Sequence, residues 1–188
     1  MRNKNTFIMI MCAMSIAINI VLGTIVQKLS IPLLFLDTIG TIFIAVLFGP
    51  WYGAAVGALT NIITPILTGN LKDIPFLLIN VAVALIVGYI AKKFNFNIVT
   101  AIITGVILSI VCPVIGSPIA IWLYGGITGS GNDILFLILK NTGMDIFTSA
   151  FIPRITGNFI DKIGSCVLVF AVMKYIPSQY KGNHNISA

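Results

Sequence analysis

Pro153-Arg154-Ile155-Thr156-Gly157-Asn158-Phe159-Ile160-Asp161-Lys162-Ile163-Gly164-Ser165 carries three charges into a stretch that continues as Cys166-Val167-Leu168-Val169-Phe170-Ala171-Val172-Met173. The rest of the chain decides what solvent this stretch meets. Of 188 residues 58% are hydrophobic and 9% charged, and the mean hydropathy is +1.07. A water-soluble globule needs a polar rim that this composition cannot supply. The solvent is lipid. A charge at the centre of a bilayer costs about 2.5–3.5 kcal/mol on insertion scales, so such residues face a cavity, a partner charge or a ligand. Lys140, Asp145, Arg154, Asp161 and Lys162 all fall in or beside apolar stretches.

Working outward, the hydropathy predicts an all-α integral membrane protein with about six transmembrane helices. The spans fall at about 7–26, 37–48, 52–67, 74–91, 98–123 and 154–176. Together they form a single transmembrane domain over 1–188. Gly49-Pro50 marks a turn between the second and third spans. Pro113 and Pro118, with Gly116 between them, interrupt the fifth. A long extracellular loop precedes the last span and holds one re-entrant or surface-lying helix from about Asn132 to Phe151. Lys140, Asn141, Gly143 and Asp145 argue against a seventh crossing, because they would sit near the bilayer centre. The N-terminal run reads as a retained span, too long for a signal-peptide core.

The net charge of +6 would suggest nucleic acid in a soluble protein; here the cations are topology signals. With the N-terminus inside, Arg2, Lys4, Lys92, Lys93, Lys174 and Lys181 face the cytoplasm without an acid. Lys28, Lys72, Lys140, Arg154 and Lys162 lie outward with Asp37, Asp73, Asp133, Asp145 and Asp161. Both termini are then cytoplasmic. Cys12, Cys112 and Cys166 lack CxxC spacing and read as buried thiols, and His184 sits idle in the polar tail.

On a helical wheel Arg154, Asn158, Asp161, Lys162 and Ser165 fall within roughly a quarter-turn. Asn80 lies at a similar depth in the fourth span, and Trp122 and Tyr124 stand at the same outer level. This set is the candidate substrate site: Asn80, Trp122, Tyr124, Arg154, Asn158, Asp161 and Lys162. Polar groups with aromatic walls suit a small polar ring compound. The residues alone leave a second use open, an internal ion-pair lock ordering the last span. Gly125–Gly131 reads as a hinge or lid, since GxxxxGK[ST] is absent. No motif for a metal or catalytic triad occurs, so no enzyme is expected. Two small-residue patterns stand out: Gly49, Gly53 and Gly57 through span three, and Ala13 with Ala17 in span one. Either allows close helix approach. The glycines suit packing within the chain; the spacing of the alanine pair alone leaves its partner open, since one short AxxxA is common in a chain this rich in alanine.

These features resemble the substrate-binding S component of energy-coupling factor (ECF) transporters, the bacterial vitamin importers. Ala13-Met14-Ser15-Ile16-Ala17 resembles the patch with which that family docks its coupling subunit. Asp37-Thr38-Ile39-Gly40, Leu47-Phe48-Gly49-Pro50-Trp51-Tyr52-Gly53-Ala54 and Pro153-Arg154-Ile155-Thr156-Gly157-Asn158 resemble its second-to-third span turn and the start of its last span. The resemblance implies a multi-pass protein of the bacterial plasma membrane. It also implies a vitamin-like substrate and, as partners, a coupling membrane protein and two cytoplasmic ATPases. ATP is used by those partners, and no cofactor is bound covalently. A membrane ligand sensor and an ion-gradient-driven small transporter are the competing readings. The ligand itself is not legible.

Overall fold

A computed structural model describes residues 4–176. Arg2, Lys181, His184 and the tail after Ile176 lie outside the described residues. The described chain is helical throughout: α1 (Lys4–Lys28), α2 (Ile39–Phe48), α3 (Pro50–Thr68), a 3-10 turn (Leu71–Phe76), α4 (Leu77–Lys93), α5 (Ile98–Tyr124), α6 (Asp133–Asn141) and α7 (Ile146–Tyr175).

Local chemistry sets the breaks. Gly49 has φ +103°, a conformation that glycine adopts without strain. Pro50 follows at the first position of α3, where its missing N–H costs nothing. Asn97 caps α5 by accepting from the Thr100 N–H at 2.9 Å. Gly125, at φ +62°, ends that helix by donating to the Ile121 carbonyl at 2.9 Å. Lys92 and Lys93 close α4, where cations suit the negative end of the helix dipole.

Two expectations about these elements need correction. Pro113 and Pro118 do not interrupt α5, which runs unbroken through both. In a membrane bundle, neighbouring helices and side chains compensate the freed backbone groups. Nor is Asn132–Phe151 one helix with the last span starting at Arg154. The helix breaks between Asn141 and Ile146, around Gly143 at φ +89°. Asp145 then caps α7, accepting from the Thr148 N–H at 2.9 Å. Hydrogen bonding from the Thr148 hydroxyl, with that N–H, holds the Asp145 carboxyl below the ordinary range. Pro153 therefore falls two turns inside α7.

Four helical segments are long and apolar enough to cross a bilayer: Asn5–Lys28, Leu71–Lys93, Ile98–Tyr124 and Ile146–Tyr175. α2 has ten residues and reaches about 15 Å, half a hydrocarbon core. α3, with Trp51, Tyr52, Asn61 and two prolines, is not among those four. Large apolar side chains such as Met14, Ile18 and Val21 on α1 and Ile103, Ile107 and Ile110 on α5 are exposed on the outer faces. Such a surface suits lipid.

α5 packs along α7 over the longest interface, and α3 packs on α4. Glycines let these backbones meet. A Cβ at Gly105 would stand 2.6 Å from Ile163 Cα, one at Gly57 2.9 Å from the Asn80 carbonyl oxygen, and one at Gly53 2.6 Å from Ala45 Cβ. The glycine stripe of α3 is thus consumed inside the molecule. Ala13 and Ala17 are exposed, while Ser15 and Asn19 on the other face of α1 are buried.

These contacts predict a pair of opposite outcomes. Gly53→Ala should lower stability by about 1–3 kcal/mol, the usual cost of overpacking. Gly164 is helical and has nothing within 4 Å of a built Cβ, so Gly164→Ala should be neutral or stabilising by up to about 1 kcal/mol. Thermal melts in one detergent check both.

Candidate functional site

A cavity of about 220 Å³ lies among α1, α3, α4, α5 and α7. It falls a little under the ~300–1,000 Å³ of drug-sized sites, so its ligand is small. Three connecting segments line it as well: the stretch after α1 through Ile31, Leu34 and Phe35; the 3-10 turn after α3 through Asp73 and Phe76; and the turn after α5 through Thr128, Ser130 and Gly131.

The first of these segments has no helix of its own and is held from outside. Ser30, Leu33 and Leu36 adopt φ of +49°, +63° and +52°, a region that side chains with a Cβ occupy at a cost. Hydrogen bonds from distant elements offset that cost. Asp161 Oδ1 accepts from the Phe35 N–H at 3.1 Å and the Leu36 N–H at 2.9 Å. Asn132 Oδ1 accepts from the Leu33 N–H at 3.1 Å. Gly131 packs against the backbone of Ser30 and Ile31 so closely that a Cβ there would stand 2.5 Å from the Ser30 carbonyl oxygen.

Beneath this roof sits an ionic centre. Lys162, 2% exposed, donates to Asp161 Oδ2 at 2.7 Å and to Thr38 Oγ1 at 2.9 Å. Its ammonium lies 3.6 Å from Asp37 Oδ1 and 5.8 Å from the Phe35 ring centroid. A second polar cluster ties α1 to α2 and α3. Asn19 accepts from the Gly40 N–H at 2.7 Å and donates to Thr41 Oγ1 at 2.9 Å and Thr60 Oγ1 at 3.2 Å.

The polar face predicted for the last span is real and turned inward: Arg154, Asn158, Asp161, Lys162 and Ser165 are all buried. The candidate residues divide by position. Asn80, Arg154, Asn158 and Lys162 line the cavity. Asp161 stands behind Lys162 and is spent on that cation and on the backbone of residues 35–36. Tyr124 is also outside the wall; its hydroxyl donates to Asp73 at 2.8 Å and accepts from Asn70 at 2.9 Å. Trp122 is 79% exposed and lies away from the cavity, on an α5 face turned outward. Arg154 is not part of the Asp161–Lys162 pair. It donates to the carbonyls of Ala150 at 2.9 Å and Gly126 at 3.3 Å, fixing the turn after α5. Asn158 donates to the Arg154 carbonyl at 2.8 Å.

Residue order alone does not single out Asp37, Asn61, Asn19 and Thr60, all in the cavity wall. Asp37 carries a usable signal, an acid at the mouth of an apolar run that needs a cation such as Lys162. Asn80 donates to Asn61 Oδ1 and, at 3.5 Å, to the Asp37 carbonyl. Its own Oδ1 has no partner.

The family model of the ECF transporter, substrate-specific component, matches residues 8–173. No curated protein and no solved structure matches the chain.

Asp161→Ala should cost about 3–5 kcal/mol, because it strands a buried ammonium and releases two backbone N–H groups. Asp161→Ala combined with Lys162→Met should recover part of that loss. Chemical or thermal denaturation of the two variants side by side in detergent checks the order.

Proposed function

The chain belongs to the ECF transporter substrate-specific component family, and we propose that it captures a small water-soluble vitamin, or a related heterocyclic precursor, on the outer side of a bacterial plasma membrane. The observation that carries this reading is the cavity, mostly apolar with several polar groups in its wall, beneath the segments that follow α1, α3 and α5. With the N-terminus inside, all three segments lie on the outer side. α2, with its extended leader, and α3 then complete six passes and leave both termini cytoplasmic. The ligand enters when the first segment lifts from Asp161 and Asn132, and closure restores those bonds.

Transport then needs partners: a coupling membrane protein and two cytoplasmic ATPases that use the ATP. Ala13 and Ala17, exposed on α1, leave a shallow strip where a partner helix can approach closely. Ser15 and Asn19, on the opposite face, are committed to the interior, so bulk at Ala13 does not reach the cavity.

Two experiments test the reading. Ala13→Trp should abolish co-purification with co-expressed coupling and ATPase subunits, and with it uptake, while the melting temperature of the isolated chain stays within a few degrees of wild type. Loss of folding instead would return Ala13 to internal packing. Asn158→Ala leaves every charge in place and should weaken the molecule that co-purifies, once identified by mass spectrometry, by about tenfold to a hundredfold, the 1–3 kcal/mol of a lost hydrogen bond in a closed site. Calorimetry reads this directly; unchanged affinity would remove Asn158 from the site.

A further inference from the structure

The few acids of this chain gather at the cavity. The chain carries +6 overall and only five acidic residues. Asp37 and Asp73 line the cavity, Asp161 backs Lys162, and Asp133 holds the turn at residues 128–130 by accepting from its N–H groups at 2.6–3.2 Å. Four of the five acids therefore cluster around one small space.

The two cations in the wall are already engaged. Lys162 spends its ammonium on Asp161 and Thr38, with Asp37 within 3.6 Å. Arg154 donates to the carbonyls of Ala150 and Gly126. One lysine faces both Asp37 and Asp161, and so neutralises only one of them. Asp73 is bonded by Tyr124 and Asn70, both neutral.

Two fully buried polar atoms of the wall have no hydrogen bond. Asn80 is 1% exposed, lines the cavity and leaves its Oδ1 without a partner. Asp37 Oδ1 is likewise buried and accepts no hydrogen bond. Both are acceptors. A buried acceptor left unmade is costly, and here each can be completed by an N–H from a ligand. Phe35 and Phe76 supply aromatic wall in the same space, and a ring face attracts a cation.

We propose that this cavity selects a cationic or amino-substituted nitrogen ring compound, bound through N–H donors to Asn80 Oδ1 and Asp37 Oδ1, and rejects carboxylates and phosphates. The proposal rests on the substrate-binding reading above and narrows it by charge. An anion would have to displace Asp161 or Asp37 from Lys162, and would leave Asn80 Oδ1 without a hydrogen bond and Asp37 Oδ1 with only its ion pair.

Size-matched rings of opposite charge test it even while the natural ligand is unidentified. Benzamidinium and 4-aminopyridinium are the cationic probes, benzoate and isonicotinate the anionic ones. Each is titrated into detergent-purified, ligand-depleted protein, with the melting temperature as readout. The cations should raise it in a dose-dependent way and the anions should not, and Asp37→Asn should weaken the cation response at least tenfold. Anions stabilising as well as cations would overturn the proposal, as would no response to any probe, or a folded Asp37→Asn with an unchanged cation response. Should Asp37→Asn fail to fold, the wild-type comparison decides alone. None of these outcomes bears on co-purification with the coupling and ATPase subunits, so the charge proposal can fail while the transporter reading stands.

Discussion

Asp161 is the junction on which the cavity depends. One oxygen of its carboxylate holds the Lys162 ammonium; the other accepts the N–H groups of Phe35 and Leu36. An ion pair this deep gains little against water-solvated charges unless its remaining lone pairs are used. Here they are used, on the backbone of a segment with no secondary structure of its own. The same carboxylate thus makes a buried lysine tolerable and gives the cavity its roof. Thr38 and Asp37 complete the surroundings of the ammonium and carry the tie into the start of α2.

Around that junction the protein separates two kinds of surface. Glycines bring α3 close to α2 and α4, and α5 close to α7, in the bundle that surrounds a small space, and the stripe of α3 is spent on this. The alanines of α1 are left outward. Small residues at a spacing of four therefore mean different things in the two helices. What distinguishes them is the opposite face: Ser15 and Asn19 anchor α1 inward, so its small residues are left on the outer surface.

Much of this is legible from residue order. Apolar runs and turn residues mark the helices, and a 100° period puts Arg154, Asn158, Asp161 and Lys162 on one buried face. Periodicity gives the face of a helix but not the partner opposite it. Asp161 and Lys162 look alike on a wheel, yet one lines the cavity and the other holds backbone amides that carry no sequence signature. Trp122 misleads for a related reason: depth along α5 is readable, but the helix has apolar residues all round and no period to orient it. Pro153 looks like a helix start because a proline often is one; Asp145, eight residues earlier, offers the cap. Asp37 reads as an outer charge, when its importance lies in meeting a lysine 125 residues away.

That separation in sequence has a consequence for how the molecule is made. Synthesis delivers helices in order from the N-terminus, and the segment between α1 and α2 exists long before Asn132, Asp161 and Lys162 leave the ribosome. Its hydrogen bonds span 99 to 126 residues, among the longest-range contacts in the fold and the slowest kind to form. Lys162 reaches the bilayer with its counter-ion as its immediate neighbour, so the pair can insert as a nearly neutral unit. Asp37 arrives early and alone, and waits at the membrane surface for its cation. The roof of the cavity is therefore the last part of the protein to be finished, and a chain truncated before α7 would lack one wall together with the bonds that hold the roof.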